Sequence, residues 1–202
     1  MTGLRTISVA YRDFPTYEAS FDDPENAPEE KLTLVGIFGI MDPLRPEVPD
    51  AVRRCQEAGV TVRMVTGDNL DTAVRIATEC GILTGDGVSM EGREFRQLEG
   101  AELHAVLPRL QVLARSTPVD KLKLVKSLHE LGEVVAVTGD GTNDAPALKA
   151  ADVGLAMGLS GTEVAKEASG GCLLPQHHFC FSSFQRWKGN PFCVLSSNGS
   201  FA

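Results

Sequence analysis

Short apolar runs alternate along this chain with segments of helical character. The apolar runs have the length of strands and occupy 32–40, 60–65, 111–115, 134–137 and 153–157. Helices are predicted at 46–59, 70–81, 117–132 and 143–151, with shorter ones within 100–110 and 160–168. Because strands that alternate with helices form crossover units, the pattern predicts an α/β fold whose parallel sheet carries helices on both faces.

Local signals support the helix assignments. Thr117 can cap the helix that follows it, Pro118 suits the first turn, and Asp120 completes a capping-box pattern. Gly59 and Gly81 follow two earlier helices at the position where glycine commonly ends a helix. The continuous apolar runs are typical of parallel strands that are buried on both faces, which is also our prediction for 32–40.

Two of the apolar runs end in the same tripeptide. Thr-Gly-Asp stands at 66–68 and again at 138–140. The carboxyl ends of parallel strands meet at one edge of a sheet, which is where ligands bind in open α/β folds. We therefore expect the two tripeptides to face one crevice.

The residue types at these ends suit a phosphate with a cation. Gly67 would allow close approach of a ligand to the backbone, and the Thr66 hydroxyl could donate to a phosphate oxygen. Asp140 and Asp144 are four residues apart, and two neighbouring carboxylates favour a cation between them. Mg²⁺ suits such oxygen ligands, and the Asn143 amide could donate to the same phosphate.

Two cations could complete the site, although each feature also has a structural interpretation. Lys121 begins the helix after the third apolar run, and Arg115 ends that run. A single Thr-Gly-Asp is usually only a turn, Lys121 could be a solvated surface charge, and Asp144 could cap a helix. The combination on one sheet favours a phosphate–Mg²⁺ site.

Composition narrows the class of protein. The chain has 202 residues and a formal net charge of -8, which argues against a nucleic-acid surface. Its apolar runs are shorter than the eighteen or so residues of a membrane helix. Five cysteines without a pairing pattern favour a reducing cytosol.

Three long segments resemble the P-type cation-transporting ATPases. They are "MDPLRPEVPDAVRRCQEAGVTVRMVTGDN", "VLARSTPVDKLKLV" and "TGDGTNDAPALKAADVGLAMG". The resemblance runs from about Leu4 to Ser169. Within the family, "TVRMVTGDN", "LARSTPVDK" and "GTEVAKEAS" are most similar to the calcium pumps of plasma membranes and vacuoles, with the reticulum type as the alternative.

The resemblance implies a haloacid-dehalogenase fold and roles for individual residues. Thr66, Gly67 and Lys121 would hold an aspartyl phosphate. Mg²⁺ would be bound by Asp140, and arranged together with the phosphate by neighbouring residues. Asn143 and Asp144 would be those neighbours. Asp68, Arg115 and Arg45 would lie near the nucleotide, and Arg5 would contact ATP. Asp42 and Arg45 would belong to the domain hinge.

The resemblance also implies a domain organisation and a location. Residues 1–31 would end the nucleotide-binding domain, 32–169 would form most of the phosphorylation domain, and 170–202 would be a divergent tail. The parent pump would use ATP and Mg²⁺, transport Ca²⁺ and place this part on the cytoplasmic side of a plasma or vacuolar membrane. Taken alone, the chain is expected to be soluble and cytoplasmic.

The chain departs from the family at two points. The nucleophilic motif Asp-Lys-Thr-Gly-Thr is not in the sequence, and neither are the ion-binding membrane helices. Residues 170–202 contain no Asp or Glu, and we predict that they are disordered or loosely packed. The spacing of Cys172, His177, His178 and Cys180 matches no standard zinc pattern.

Three functions follow as hypotheses. The first is a fragment of a calcium pump that does not turn over ATP by itself. The second is a free-standing phosphatase of the same fold, which would need an Asp-x-Asp motif that the sequence lacks. The third is a non-catalytic module that binds Mg²⁺ or nucleotide.

Overall fold

The structure is a computed structural model that describes residues 5–13, 30–40, 44–157, 162–173 and 192–196. The chain divides into two units, Met1–Asp42 and Pro43–Ala202. This division falls later in the chain than the boundary predicted between residues 31 and 32.

The first unit is built on an antiparallel pair of strands. Strand β1 (Arg5–Tyr11) pairs with β2 (Thr33–Ile40), and the register shifts between Val9 and Ala10. All residues of β2 are exposed except Gly36, which is half-buried. The prediction that 32–40 is a buried strand of the parallel sheet is therefore wrong. A continuous apolar run does not by itself reveal whether a strand is covered, because burial depends on neighbours distant in sequence.

The second unit contains a seven-stranded parallel sheet. Its strands are β3 (Val60–Val65), β4 (Val88–Glu91), β5 (Leu110–Ala114), β6 (Val134–Gly139), β7 (Val153–Met157), β8 (Gly171–Leu173) and β9 (Phe192–Ser196). Their order across the sheet is β4-β5-β3-β9-β6-β7-β8. The prediction of a parallel α/β sheet is confirmed.

Seven α-helices are found in the described part of this unit. They are α1 (Val48–Glu57), α2 (Leu70–Glu79), α3 (Gly92–Gln97), α4 (Gly100–Val106), α5 (Pro118–Glu130), α6 (Ala145–Ala150) and α7 (Glu163–Ala168). Two short 3₁₀ helices lie at Leu107–Arg109 and Thr142–Asp144, before β5 and before α6. The capping box of α5, predicted from Thr117 and Asp120, is present.

The sheet is covered on both faces, as the apolar pattern predicts. Along β6, Val135 and Val137 belong to one core cluster while Ala136 belongs to the other. The first cluster also holds residues of α4, α5, α6 and α7, and the second holds residues of α1 and α2. Alternate side chains of a strand point to opposite faces, so the two clusters are the two sides of one sheet.

The C-terminal segment contributes two short strands to the sheet. Residues 171–173 and 192–196 form β8 and β9, and the predicted disorder or loose packing of 170–202 as a whole stays a prediction. Strand β9 lies between β3 and β6 and pairs with both in parallel. Its backbone finds hydrogen-bond partners on each side, which stabilises an extended conformation that a scan of composition does not reveal. His177, His178 and Cys180 lie outside the described residues.

Candidate functional site

Both Thr-Gly-Asp tripeptides leave the sheet at the same edge. Ser196 of β9 pairs with Met64 of β3 on one side and with Thr138 of β6 on the other. The strands are parallel, and each tripeptide lies at the carboxyl end of its strand. One strand separates β3 from β6, so the two ends are on the order of 10 Å apart.

The first tripeptide forms a closed turn. The Thr66 hydroxyl accepts a hydrogen bond from the Asp68 backbone N–H and donates to Asp68 Oδ2, both at 3.1 Å. Thr66 is buried, being 3% exposed. A Cβ added at Gly67 would have no atom within 4 Å, so the space beside this backbone is open. The turn therefore offers an accessible backbone next to a hydroxyl that is held in place.

The segment that follows β5 is hydrogen-bonded to this turn. The Arg115 N–H donates to the Asp68 carbonyl at 2.8 Å, and the Ser116 N–H donates to the Thr66 carbonyl at 2.9 Å. The Ser116 hydroxyl adds a bond of 3.0 Å to the same Thr66 carbonyl. Arg115 has a φ of 45°, a left-handed conformation that is costly for a residue other than glycine. This left-handed backbone conformation at Arg115 lies within the segment whose hydrogen bonds hold the first tripeptide beside the end of β5.

The Arg115 side chain itself points to the surface. It is 64% exposed, and its Nε lies 3.5 Å from Glu91 Oε1. An exposed pair of this kind contributes little to stability. The side chain is therefore available to a ligand at the crevice, and its predicted role near nucleotide stays a prediction.

The second tripeptide lies beside a buried ion pair. Lys121 Nζ contacts Asp144 Oδ1 at 2.5 Å, with side chains 3% and 0% exposed respectively. The alternative that Lys121 is a solvated surface charge is therefore wrong. Asp144 makes no side-chain capping bond to α6, and its Oδ2 instead accepts from the Gly141 N–H at 3.2 Å. Removing either partner would leave a buried charge without compensation.

Gly139 is required by packing against the buried Asp144, whereas the close contact at Gly141 is with the exposed Asn143 side chain. A Cβ at Gly139 would come within 2.6 Å of Asp144 Cβ, and one at Gly141 within 2.1 Å of Asn143 Oδ1. Asp140 itself is half-buried and Asn143 is exposed. The Asp140 carbonyl accepts from the Thr162 N–H at 2.8 Å, which ties the start of α7 to the loop.

The donor set suits Mg²⁺ better than a metal that needs an all-protein cage. Among the described residues, no group of three or more His, Cys, Asp or Glu side chains is arranged to hold a metal ion. Mg²⁺ is commonly bound through one or two carboxylates, with waters and phosphate oxygens as further ligands. Asp144 Oδ1 is engaged by Lys121, and the role of Asp140 as a direct ligand stays a prediction.

The remaining predicted residues lie elsewhere or outside the described part. Arg45 is exposed, and its carbonyl accepts from the Val48 N–H at the start of α1. Arg5 begins β1 in the first unit, and Asp42 lies outside the described residues. The predicted ATP contact of Arg5 and the hinge role of Asp42 and Arg45 stay predictions.

Sequence reasoning missed the residues that support the site. Ser116 joins β5 to the first tripeptide, and no local pattern marks it. Gly92 starts α3 where a Cβ would lie 2.6 Å from Asp120 Oδ2 and 2.9 Å from the Arg115 carbonyl. Asp120 is fully buried and also accepts from Arg96 at 2.5 Å. The one sequence signal for Asp120 was its capping-box spacing from Thr117, which indicates a role in the fold.

None of the helices in the described part of the chain is both long enough and apolar enough to cross a bilayer.

Comparison with known proteins identifies similar sequences along most of the chain. A model of the haloacid dehalogenase-like hydrolases matches residues 8–152. The calcium-transporting ATPase PAT1 of Dictyostelium discoideum is 63% identical over 192 residues, which cover 95% of this chain and 17% of that protein.

Two further relatives come from other kingdoms. Plasma membrane calcium-transporting ATPase 4 of Homo sapiens is 51% identical over 209 residues, covering 96% of this chain and 17% of its own length. Calcium-transporting ATPase 2 of Schizosaccharomyces pombe is 58% identical over 177 residues, covering 82% of this chain and 14% of its own length. The chain thus spans less than a fifth of these relatives.

Proposed function

This chain belongs to the haloacid dehalogenase-like hydrolases, and we propose that it supplies the phosphate- and Mg²⁺-binding part of a calcium-transporting ATPase. The observation that carries the proposal is the buried Lys121–Asp144 pair beside two Thr-Gly-Asp turns at one sheet edge. Relatives at 51–63% identity are calcium-transporting ATPases by name. Calcium transport, ATP use and a place on the cytoplasmic side of a plasma or vacuolar membrane belong to this proposal.

Lys121 would provide the positive charge next to a phosphate. Its ammonium group is held in a buried position by Asp144, so little side-chain freedom is left to lose when a ligand binds. A fixed charge in a water-poor site acts more strongly on a phosphoryl group than a mobile surface lysine would. Asp144 would thus position Lys121 and would also keep its charge compensated without ligand.

The first tripeptide would supply the neutral contacts to the phosphate. The open space at Gly67 permits close approach to the backbone. The Thr66 hydroxyl now donates to Asp68, and it would have to rotate toward a phosphate oxygen to serve it. The two hydrogen bonds from Ser116 to the Thr66 carbonyl would keep the Thr66 main chain fixed during such a rotation.

Mg²⁺ would be held by Asp140, with Asp144 and Asn143 arranging it and the phosphate. When bound, the cation would neutralise charge on a phosphoryl group during in-line transfer. Asp140 would orient it from the end of β6. The loop position of Asp140 is supported by the Thr162 contact to its carbonyl.

The chain by itself is proposed to bind without turnover. The Asp-Lys-Thr-Gly-Thr motif that carries the family's nucleophile is not in this sequence. A measured ATPase rate that vanishes in Asp140→Asn would overturn this part of the proposal. Hydrolysis of p-nitrophenyl phosphate that disappears in the same variant would instead support a free-standing phosphatase.

Calorimetric titration with Mg²⁺, with and without inorganic phosphate, tests the binding itself. We expect Asp140→Asn to weaken Mg²⁺ binding on the order of tenfold or more. The matched control is Asp86→Asn, an exposed aspartate in the loop before β4, which should titrate like the parent chain. Equal titrations for the parent and both variants would contradict the assignment of the site to Asp140.

A further inference from the structure

One carboxylate oxygen of Asp120 joins helices α3 and α5 to the segment that follows β5. Asp120 Oδ2 accepts hydrogen bonds from the Thr117 N–H and from the Thr117 hydroxyl, each at 2.8 Å. The same oxygen accepts from Arg96 of α3 at 2.5 Å, and the Asp120 side chain of this ion pair is fully buried. A capping box needs no partner outside its own helix, so the contact with Arg96 gives Asp120 a role beyond the capping of α5.

Helix α3 packs directly on the segment 115–117. A Cβ at Gly92, the first residue of α3, would lie 2.9 Å from the Arg115 carbonyl oxygen and 3.2 Å from Ser116 Cα. The other end of α3 is held by Lys123 of α5. Its ammonium group donates to three backbone carbonyls at 2.7–3.1 Å, those of Phe95, Arg96 and Leu98. The two ends of α3 therefore contact the segment 115–117 and α5.

The segment 115–117 carries the hydrogen bonds to the first tripeptide. The Arg115 N–H donates to the backbone carbonyl of Asp68, and the N–H and hydroxyl of Ser116 both donate to the backbone carbonyl of Thr66. Thr117, the next residue, is bonded to Asp120. A shift of Thr117 would therefore displace the backbone that holds Thr66.

The position of the Lys121 side chain depends on the same carboxylate. Lys121 directly follows Asp120 in the first turn of α5, and its N–H donates to the Thr117 carbonyl at 3.1 Å. The Thr117 hydroxyl accepts from the Asp120 N–H at 3.4 Å, which closes the first turn of the helix. The start of α5 determines where the Lys121 ammonium group meets Asp144. Thr66 and Lys121 are thus both connected to Asp120.

We propose that Asp120 is a positioning residue of the phosphate site, which fixes the Thr66 turn and Lys121 relative to each other. It is not one of the residues proposed to touch phosphate or Mg²⁺, and it acts through Thr117 and the segment 115–117. Because a displacement of about 1 Å can cost a site much of its binding or rate, a buried carboxylate shared by two helices is well suited to this role. The binding consequence rests on the proposed function, whereas the ordering of 115–117 by Asp120 does not.

Electrostatics and positioning predict opposite effects of removing this carboxylate. Asp120 is an anion next in sequence to Lys121, so its direct Coulomb effect on a bound phosphate is repulsive. If charge alone mattered, neutralising Asp120 would therefore strengthen phosphate binding. Loss of positioning would weaken binding, so the direction of the change separates the two effects.

Hydrogen exchange on the full chain tests the ordering of the segment without a ligand. In Asp120→Ala we expect the Arg115 and Ser116 amides to exchange at least about tenfold faster, relative to amides of β6, than in the parent chain. Val52→Ala is the control, since it shortens a buried side chain of α1 in the other core cluster and leaves the contacts of Asp120 in place. Unchanged relative exchange in Asp120→Ala would overturn the proposal.

Calorimetric titration of the same proteins with inorganic phosphate in the presence of Mg²⁺ tests the binding consequence. We expect Asp120→Ala to bind phosphate on the order of tenfold more weakly than the parent chain, and Val52→Ala to bind it like the parent. Asp120→Asn keeps the size of the side chain and removes the charge that binds Arg96, so it serves if the alanine variant does not fold. It should show faster exchange at Arg115 and Ser116 and about threefold weaker phosphate binding.

The two measurements distinguish the positioning role from the proposed function. A parent chain that binds no phosphate, together with faster exchange at Arg115 and Ser116 in the Asp120 variants, would contradict the proposed function and support the ordering role. A parent chain that binds phosphate, together with Asp120 variants that bind it at least as tightly as Val52→Ala, would leave the proposed function intact and overturn the positioning role.

Discussion

Lys121 Nζ lies 2.5 Å from Asp144 Oδ1, and this contact joins helix α5 to the loop that follows β6 inside a buried environment. Such a pair is weak evidence for stability, because the desolvation of two charges offsets their attraction. Its presence at the edge that carries both Thr-Gly-Asp turns is better explained by a need for fixed charge there.

Lys121→Met should be strongly destabilising. It leaves the fully buried Asp144 carboxylate without its cation, and we expect a loss of about 3–5 kcal/mol in the free energy of unfolding by urea. Lys126→Met, at an exposed position on the same helix, is the control and should change stability by less than about 0.5 kcal/mol. Adding Asp144→Leu to Lys121→Met should recover much of the loss, and no recovery would contradict a direct charge effect.

The glycines of the two tripeptides should respond differently to alanine. A Cβ at Gly139 would clash with three Asp144 atoms at 2.6–2.8 Å, whereas one at Gly67 meets nothing within 4 Å. We expect Gly139→Ala to cost about 1–3 kcal/mol in thermal or urea unfolding. Gly67→Ala should stay within about 0.5 kcal/mol of the parent but weaken phosphate binding. Equal stability losses at the two positions would contradict the packing described here.

Sequence patterns predicted much of this architecture because the relevant signals are local. The helices α1, α2 and α5 follow from apolar spacing and from caps such as Thr117. The meeting of the two Thr-Gly-Asp turns follows from the parallel topology, which places strand ends at one edge. None of these inferences required knowledge of contacts between distant segments.

The misses all involve long-range contacts. Whether 32–40 is covered depends on which strand pairs with it, and the structure pairs it with β1 in a separate unit. The insertion of β9 depends on an edge of β3 that lies more than a hundred residues earlier. Periodicity within one segment carries no information on any of these partners.

Arg115 offers a test of backbone strain that separates the main chain from the side chain. Arg115→Ala and Arg115→Gly both remove the exposed pair with Glu91, but only glycine adopts a φ of 45° without steric cost. We expect the glycine variant to be about 1 kcal/mol more stable than the alanine variant in urea unfolding. An alanine variant as stable as the glycine variant would mean that the left-handed conformation is not maintained in solution.

Asp152 should give the fold a modest acid sensitivity. Burial acts to raise the pKa of Asp152, but the Val135 N–H and His129 together outweigh it, so the pKa lies below its ordinary value. A lowered folded-state pKa stabilises the fold above the unfolded value, and this contribution is lost as the pH falls below about 4. Because the side chain is 44% exposed, the contribution should be under about 1 kcal/mol.

The comparison of Asp152→Asn with the parent chain measures this contribution. The stability difference between the two proteins should be largest near neutral pH and should shrink as the solution is acidified below pH 4. A difference that grows on acidification would show that the sign of the pKa change is wrong. Asp71→Asn, an exposed aspartate in the first turn of α2, serves as the control for a general charge effect.

The β1–β2 hairpin determines how this polypeptide should behave when it is handled alone. Eight of its large apolar side chains are at least 43% exposed, among them Ile37 at 66% and Val35 at 60%. A two-stranded ribbon with uncovered apolar faces is marginally stable and readily recruits other strands. We therefore expect concentrated solutions of the chain to form insoluble β-rich aggregates. Replacing Val35 and Ile37 with lysine should raise the solubility limit without altering the sheet of the second unit.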